Sequence, residues 1–202
     1  MCNLVENEIK QFLDILGQEL NSYFKRVDMD ALERAKELIL TAQEKKKRVH
    51  VTGIGKPGHV SAYIASLLSS TGTPAYELHG TEAVHGSSGQ VLPGDVVIAI
   101  SNSGETAELI ATVETLKRNG AAIIAVTGKE SSWLATHGDV FLFAGVSQEG
   151  DSMNKPPRIS ILAEMIVLQC LSLVLQNHYQ LTPEQYVKWH PGGALGKSIL
   201  ER

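Results

Sequence analysis

Four residues with hydroxyl or amide side chains, Ser101, Asn102, Ser103 and Thr106, fall within six positions around Gly104, directly after the apolar run Val96-Val97-Ile98-Ala99-Ile100. An apolar run without alternation suits a strand buried on both faces, and Glu105 to Asn119 repeats apolar residues at helical spacing. The serine-rich turn therefore opens a helix. The first N–H groups of a helix have no internal partners and carry a partial positive charge, so they bind anions. No Lys or Arg stands in the turn, which fits a phosphate monoester held by neutral donors. The same residue types also make an ordinary helix N-cap, although a cap needs only one of them.

Other groups able to do chemistry lie in loops that follow strands. His79-Gly80-Thr81-Glu82-Ala83-Val84-His85-Gly86 is an irregular loop dense in titratable groups. His85 is the candidate acid-base histidine there. A metal site on His79, Glu82 and His85 is the competing reading, but their i, i+3, i+6 spacing is not that of a familiar zinc motif, and no metal is expected. Glu149 follows the last predicted strand, where a carboxylate would face a crevice, and surface filler is the plainer alternative. His190 sits beside Pro191-Gly192-Gly193, a turn that needs no histidine of its own.

The elements that must position these groups read as follows. Residues 3 to 24 and a second segment after Asp28 or Asp30 form an N-terminal helical pair over about 3–47, with apolar residues three and four apart. Oligomer contacts or monomer core both suit such a pair. Strands are predicted at Arg48–Thr52, Ala75–Leu78, Asp95–Ile100, Ala121–Val126 and Val140–Phe143, most of them separated by helices. This alternation predicts an α/β fold, a three-layer α/β/α sandwich with a five-stranded parallel sheet, whose strand order is taken as the flavodoxin-like 2-1-3-4-5. Ligands then bind beyond the carboxyl ends of the first and third strands, where the strand order reverses. Those ends carry the serine turn and a glycine turn, Gly53-Ile54-Gly55-Lys56-Pro57-Gly58. The glycine turn satisfies G-x-G-x-x-G, with Glu77 available as a ribose acid, so a nicotinamide reading is open; Lys56 and Pro57 crowd the space a pyrophosphate would need.

The 202-residue chain suits one domain. A net charge of −4 with 18 basic residues lacks the basic face that nucleic acid or a membrane surface requires. Two cysteines, Cys2 and Cys170, give no disulfide framework, and a reducing, cytoplasmic compartment fits. No signal peptide is visible. The long apolar stretch Ile159 to Leu175 is interrupted by Glu164 and Gln169, and a buried helix is the better reading than a membrane span.

Taken together, Gly53-Ile54-Gly55-Lys56-Pro57-Gly58-His59, Ser70-Thr71-Gly72-Thr73-Pro74, Glu82-Ala83-Val84-His85-Gly86, Asp95 to Glu105 and His190-Pro191-Gly192-Gly193-Ala194-Leu195-Gly196 resemble the sugar isomerase (SIS) domain family, in particular its arabinose-5-phosphate isomerase branch. The resemblance covers about residue 50 onward and corresponds to a form without the paired CBS domains of that branch. It implies a single SIS domain over 1–202 that interconverts a ketose phosphate and an aldose phosphate, such as ribulose 5-phosphate and arabinose 5-phosphate, without a cofactor. The implied catalytic groups are Lys56, His85, Glu108, Glu149 and His190. The implied phosphate cradle is Ser101, Asn102, Ser103 and Thr106, with Gly55, Ser70 and Thr71 as further substrate contacts. The implied assembly is a homotetramer in which one crevice borrows a histidine from a neighbour.

One departure bears on substrate identity. Relatives often carry Pro-Thr-Ser-Ser after the Glu149 position, where this chain has Pro157-Arg158-Ile159-Ser160. Arg158 either faces the crevice, adding a cation for a second anionic group, or lies on the outer surface. The expected chemistry has Glu149 shuttling a proton between C1 and C2 through an enediol(ate). His190 or His85 assists ring opening, Lys56 steadies the oxyanion, and Glu108 orients Lys56 or a hydroxyl. Two rivals share the fold: a phosphosugar-sensing module without turnover, and an isomerase of a hexulose phosphate.

Overall fold

Five short strands, β1 (Val49–Gly53), β2 (Ala75–Glu77), β3 (Val96–Ile100), β4 (Ala122–Thr127) and β5 (Val140–Phe143), form one parallel sheet in the order β2-β1-β3-β4-β5. The computed structural model describes residues 2–190, with side chains from Val5 onward. Every residue of β1 and β3 is buried, which is why neither strand alternates in sequence. Within β3 the two faces still separate: Val96, Ile98 and Ile100 enter one core, and Val97 and Ala99 the other.

The first core lies under α2 (Met29–Glu44), α3 (Lys56–Ser70) and α6 (Ile159–Tyr179), with Leu32, Ile39, Ile64, Leu68 and Leu171 fully or nearly fully buried. The second lies under α4 (Ala107–Arg118) and α5 (Trp133–His137), through Leu109, Val113, Leu116 and Leu134. The result is the expected α/β/α sandwich. Strand starts lie one residue later than predicted at β1, β3 and β4. At two of them the cause is Asp95, whose carboxylate accepts the Arg48 and Leu92 N–H groups at 2.9 and 2.8 Å and so belongs to the turns.

Asp28 caps α2, accepting the Ala31 N–H at 3.0 Å. Of the two expected roles, α2 takes that of monomer core. In contrast α1 (Cys2–Phe24) buries, among its described side chains, only Tyr23, and leaves Val5, Ile9 and Leu13 more than half exposed. Tyr23 fixes its end, with the hydroxyl 3.0 Å from the carbonyl oxygens of both Phe143 and Ala163. The long apolar helix α6 has the composition of a membrane span but buries Ala163, Val167, Leu168, Leu171 and Leu175 in the core. A short helix, α7 (Pro183–Trp189), follows, with the Thr182 and Gln185 side chains closing a reciprocal cap.

Candidate functional site

The loops after β1 and β3 leave the sheet side by side, because Gly53 pairs with Ile100 in the parallel register. The serine turn is built around Gly104, at φ +66, where a side chain would overlap the Ser132 hydroxyl and stand 2.8 Å from Thr127 Oγ1. Ser101 Oγ lies 3.1 Å from Thr106 Oγ1 and accepts the Gly104 N–H at 3.1 Å. Ser103 Oγ accepts the Glu105 N–H at 3.2 Å, while the Asn102 carbonyl ties the turn to β4 through Gly128 N–H at 2.9 Å. Thr106 is the N-cap residue of α4, yet its hydroxyl caps nothing, and the N–H groups of Ala107 and Glu108 have no acceptor among the described residues. A turn that only capped a helix would use them, so donors are left facing outward. Gly104→Ala is expected to lower stability by at least about 2 kcal/mol in urea unfolding, since a left-handed alanine is strained and must also displace Ser132.

The glycine turn has its own steric reason. A side chain at Gly53 would stand 2.7 Å from the Pro57 carbonyl carbon, so only glycine lets α3 start this close to β1. Gly55, at φ +66, precedes the helix, and Lys56 is its exposed first residue. A cleft of about 180 Å³ runs beside this turn, lined by residues that include Gly55, His59, Glu77 and His79.

The same sheet edge collects three more of the anticipated groups. The short turn Ala83–His85 packs against α4, with Ala83 in the core beside Leu109 and Val113, so exposed His85 lies on the flank of the helix whose first turn carries exposed Glu108. Thr112 of α4 donates to the Gly80 carbonyl and pins that loop. His79 Nδ1 is occupied by Thr81 Oγ1 at 3.0 Å and the Glu82 N–H at 3.4 Å, a local turn and not a ligand set.

Glu149 is held more firmly than a surface residue. Its Oε2 accepts the N–H groups of Arg158, Ile159 and Ser160 at 2.7, 2.7 and 3.2 Å, so the carboxylate sits on the head of α6. Its Oε1 accepts no hydrogen bond among the described residues and is the free oxygen. Glu149's own N–H donates to Asn154 Oδ1 at 2.6 Å, and Glu19 of α1 clamps the loop by accepting the Ser147 N–H at 2.8 Å. Helices α3 and α6 run parallel and pack together, joined by Thr71 Oγ1 and Ser172 Oγ at 3.0 Å. Counting back from that bond at about 1.5 Å per residue, Lys56 and Ile159 lie at heights within about 3 Å of each other. The heads bearing Lys56 and Glu149 both stand at the carboxyl edge of the sheet, since α3 follows β1 and α6 follows β5.

Three anticipated residues lie elsewhere. Ser70 and Thr71 stand at the far end of α3, roughly 20 Å from Lys56 by helix rise. Their hydroxyls donate to helix carbonyls, Ser70 to Leu67 at 2.8 Å and Thr71 to the same oxygen at 2.9 Å. His190 also lies at that end. It caps α7 with its ring stacked on Tyr186 at 4.0 Å, next to Trp189, which packs at the Gly72 turn. Within one chain these three do not join the serine turn; residues 191–196 of the His190 motif lie outside the described residues. Arg158 pairs with Asp151 and lines a groove against Phe12 and Ile15 of α1, so its charge is matched within its own loop.

Sequence reasoning missed Glu19, which nothing in its helix distinguishes, and Glu164, which was visible only as a break in an apolar run. Glu164 is fully buried, and burial first, then the neighbouring Glu149, pushes its carboxyl up to about 8.

These features define a doubly wound α/β protein with a candidate anion site at the carboxyl edge of its sheet. Residues 44–173 match the SIS domain, and the chain belongs to that family. It is 41% identical to the arabinose 5-phosphate isomerase KdsD of Pseudomonas aeruginosa over 171 residues, 85% of this chain and 52% of the relative. To KpsF of Escherichia coli, also an arabinose 5-phosphate isomerase, it is 34% identical over 194 residues, 96% of this chain and 60% of the relative. The chain therefore spans about half the length of the curated relatives it matches. Among solved structures it resembles an E. coli CFT073 protein in complex with arabinose 5-phosphate, with a TM-score of 0.78 and 33% identity over 94% of this chain and 97% of that one. A putative sugar-phosphate isomerase from Listeria monocytogenes gives a TM-score of 0.85 at 27% identity, covering 93% and 97%.

Proposed function

We propose that this chain is an aldose-ketose isomerase acting on a sugar phosphate, with ribulose 5-phosphate and arabinose 5-phosphate as the preferred pair and no cofactor. The observation that carries the reading is the seat of Glu149: three amides fix one oxygen and leave the other free, at the sheet edge from which α3 also starts with Lys56. In this mechanism the serine turn holds the phosphate through Ser101, Asn102, Ser103 and Thr106. The free oxygen of Glu149 takes the proton from the carbon next to the carbonyl, the enediolate forms, and Glu149, after exchange of that proton with solvent, delivers a proton to the adjacent carbon. Lys56 steadies the developing oxyanion, Glu108 orients it, and His85 assists ring opening.

The working unit in this reading is a homo-oligomer, the tetramer that the family resemblance implies, within the cytoplasm. Support comes from His190, which stands too far from its own serine turn to serve it and suits a neighbour's crevice. The half-exposed Val5, Ile9 and Leu13 of α1 offer apolar surface for that assembly.

NMR of the pure protein with a panel of ketose and aldose phosphates in D2O tests the proposal. Isomer formation, with deuterium entering at C1 or C2, is the expected result. Binding without either would make the chain a phosphosugar sensor, and turnover of a hexulose phosphate alone would change the substrate.

A further inference from the structure

Beneath the seat of Glu149, α6 carries three polar atoms that no group among the described residues satisfies. Ser160 and Glu164 stand four residues apart and so share one face of the helix. Both are 0% exposed, and the Ser160 hydroxyl and both Glu164 carboxylate oxygens have no hydrogen-bond partner among the described residues. Ser160 is also one of the three residues whose N–H is accepted by Glu149. A polar line thus runs inward from Glu149 into a helix whose surrounding buried positions, Ala163, Val167 and Leu168, are apolar.

The titratable groups around Glu164 are Glu149 from the loop after β5, Tyr23 from α1, and Cys170 further along α6, which shares the surroundings of Tyr23. None is a cation, and no ion pair involves Glu164 among the described residues. The helices α2 and α3 contribute apolar residues such as Ile39 and Ile64 to the same core. A carboxylate in such a place would be an uncompensated buried charge, so the group keeps its proton. Glu149, half-buried and with one oxygen free, is the carboxyl seated on three amides at the head of the same helix.

Resting on the reading of Glu149 as the proton shuttle, we propose that Glu164 is a positioning residue for it. Kept as a neutral acid, it leaves Glu149 the single anion on the α6 head. Losing its proton, it sets a second negative charge beneath that seat and loosens Glu149 from the amides. The alkaline limb of turnover therefore belongs to Glu164, although it touches no substrate.

Two measurements test this, one of which needs no turnover. The first is the pH profile of kcat. With the Glu164 carboxyl at about 8, turnover of the wild type at pH 9 should be roughly tenfold below that at pH 7, and Glu164→Gln should hold this ratio near one. The same alkaline limb in both proteins overturns the proposal. The second is amide hydrogen exchange of Arg158, Ile159 and Ser160 in the wild type, corrected for the intrinsic pH dependence of exchange. Protection should fall above about pH 8; protection unchanged to pH 9 overturns the proposal, even if the Gln variant does not fold. Loss of protection in a chain without isomerase activity would instead leave the coupling standing and remove the assigned reaction.

Discussion

Glu149→Gln lowers kcat by at least roughly a hundredfold and leaves KM within a few-fold, because it removes the proton acceptor while the serine turn still grips the phosphate. Glutamine keeps a carbonyl oxygen in place of Oε2, so the N–H groups of Arg158, Ile159 and Ser160 retain an acceptor and the α6 head stays formed. Only the ability to take and return a proton is lost. Glu149→Ala separates the two roles further. It should show the same fall in turnover and a further loss of about 1 to 2 kcal/mol in stability, the usual cost of removing a helix cap. Initial rates alongside urea unfolding curves distinguish the cases. Turnover of Glu149→Gln near that of the wild type would reduce Glu149 to a structural cap and require another base.

The sheet was legible because its physics is local. The uninterrupted apolar runs of β1 and β3 admit a doubly buried strand and little else, and the glycines after them mark turns whose close approach excludes any side chain at Gly53. The alternation of strands and helices made the sheet parallel, and the flavodoxin-like order taken for it is the order observed. The switch point likewise brought the serine and glycine turns together, as Gly53 pairing with Ile100 shows.

The site was only partly legible, for reasons visible in particular residues. Ser70 and Thr71 open the motif stretch that follows the glycine turn in sequence, but a helix of 15 residues carries them to its opposite end. Their hydroxyls are already spent on carbonyls there. Such distances do not show in the spacing of letters. Arg158 was undecided between crevice and surface because its partner, Asp151, is an acid within a loop whose shape has no periodicity to read. Glu149 was read as a carboxylate facing a crevice, whereas its grip on three amides depends on how the chain returns from β5 to α6. Glu164 could be noticed only as an anomaly: a carboxyl inside a buried apolar helix has either a partner or a proton, and sequence does not say which.

That anomaly has a thermodynamic signature independent of catalysis. In the unfolded chain Glu164 loses its proton near its ordinary value of 4.5, while in the folded chain it keeps the proton to about 8. Between these values the folded state binds more protons than the unfolded state, so stability falls as pH rises through that window and the loss is complete above about 8. At 1.36 kcal/mol per unit, the penalty at alkaline pH is on the order of 5 kcal/mol, a large share of a typical domain's stability. Glu164→Gln fills the same space and cannot ionise, so it should unfold at nearly the wild-type urea midpoint at pH 4 and be more stable by several kcal/mol at pH 8.5. His50 works in the opposite sense at lower pH. Burial pushes its imidazole down despite Asp95 at 3.4 Å, so its contribution grows as pH rises toward its ordinary value of 6.5. His50 is present in both proteins, however, and cancels in the difference between them. A difference that stays flat from pH 4 to 8.5 would mean that Glu164 ionises as readily folded as unfolded, and that water or a cation reaches a carboxyl otherwise sealed among Ala163, Val167 and Leu168.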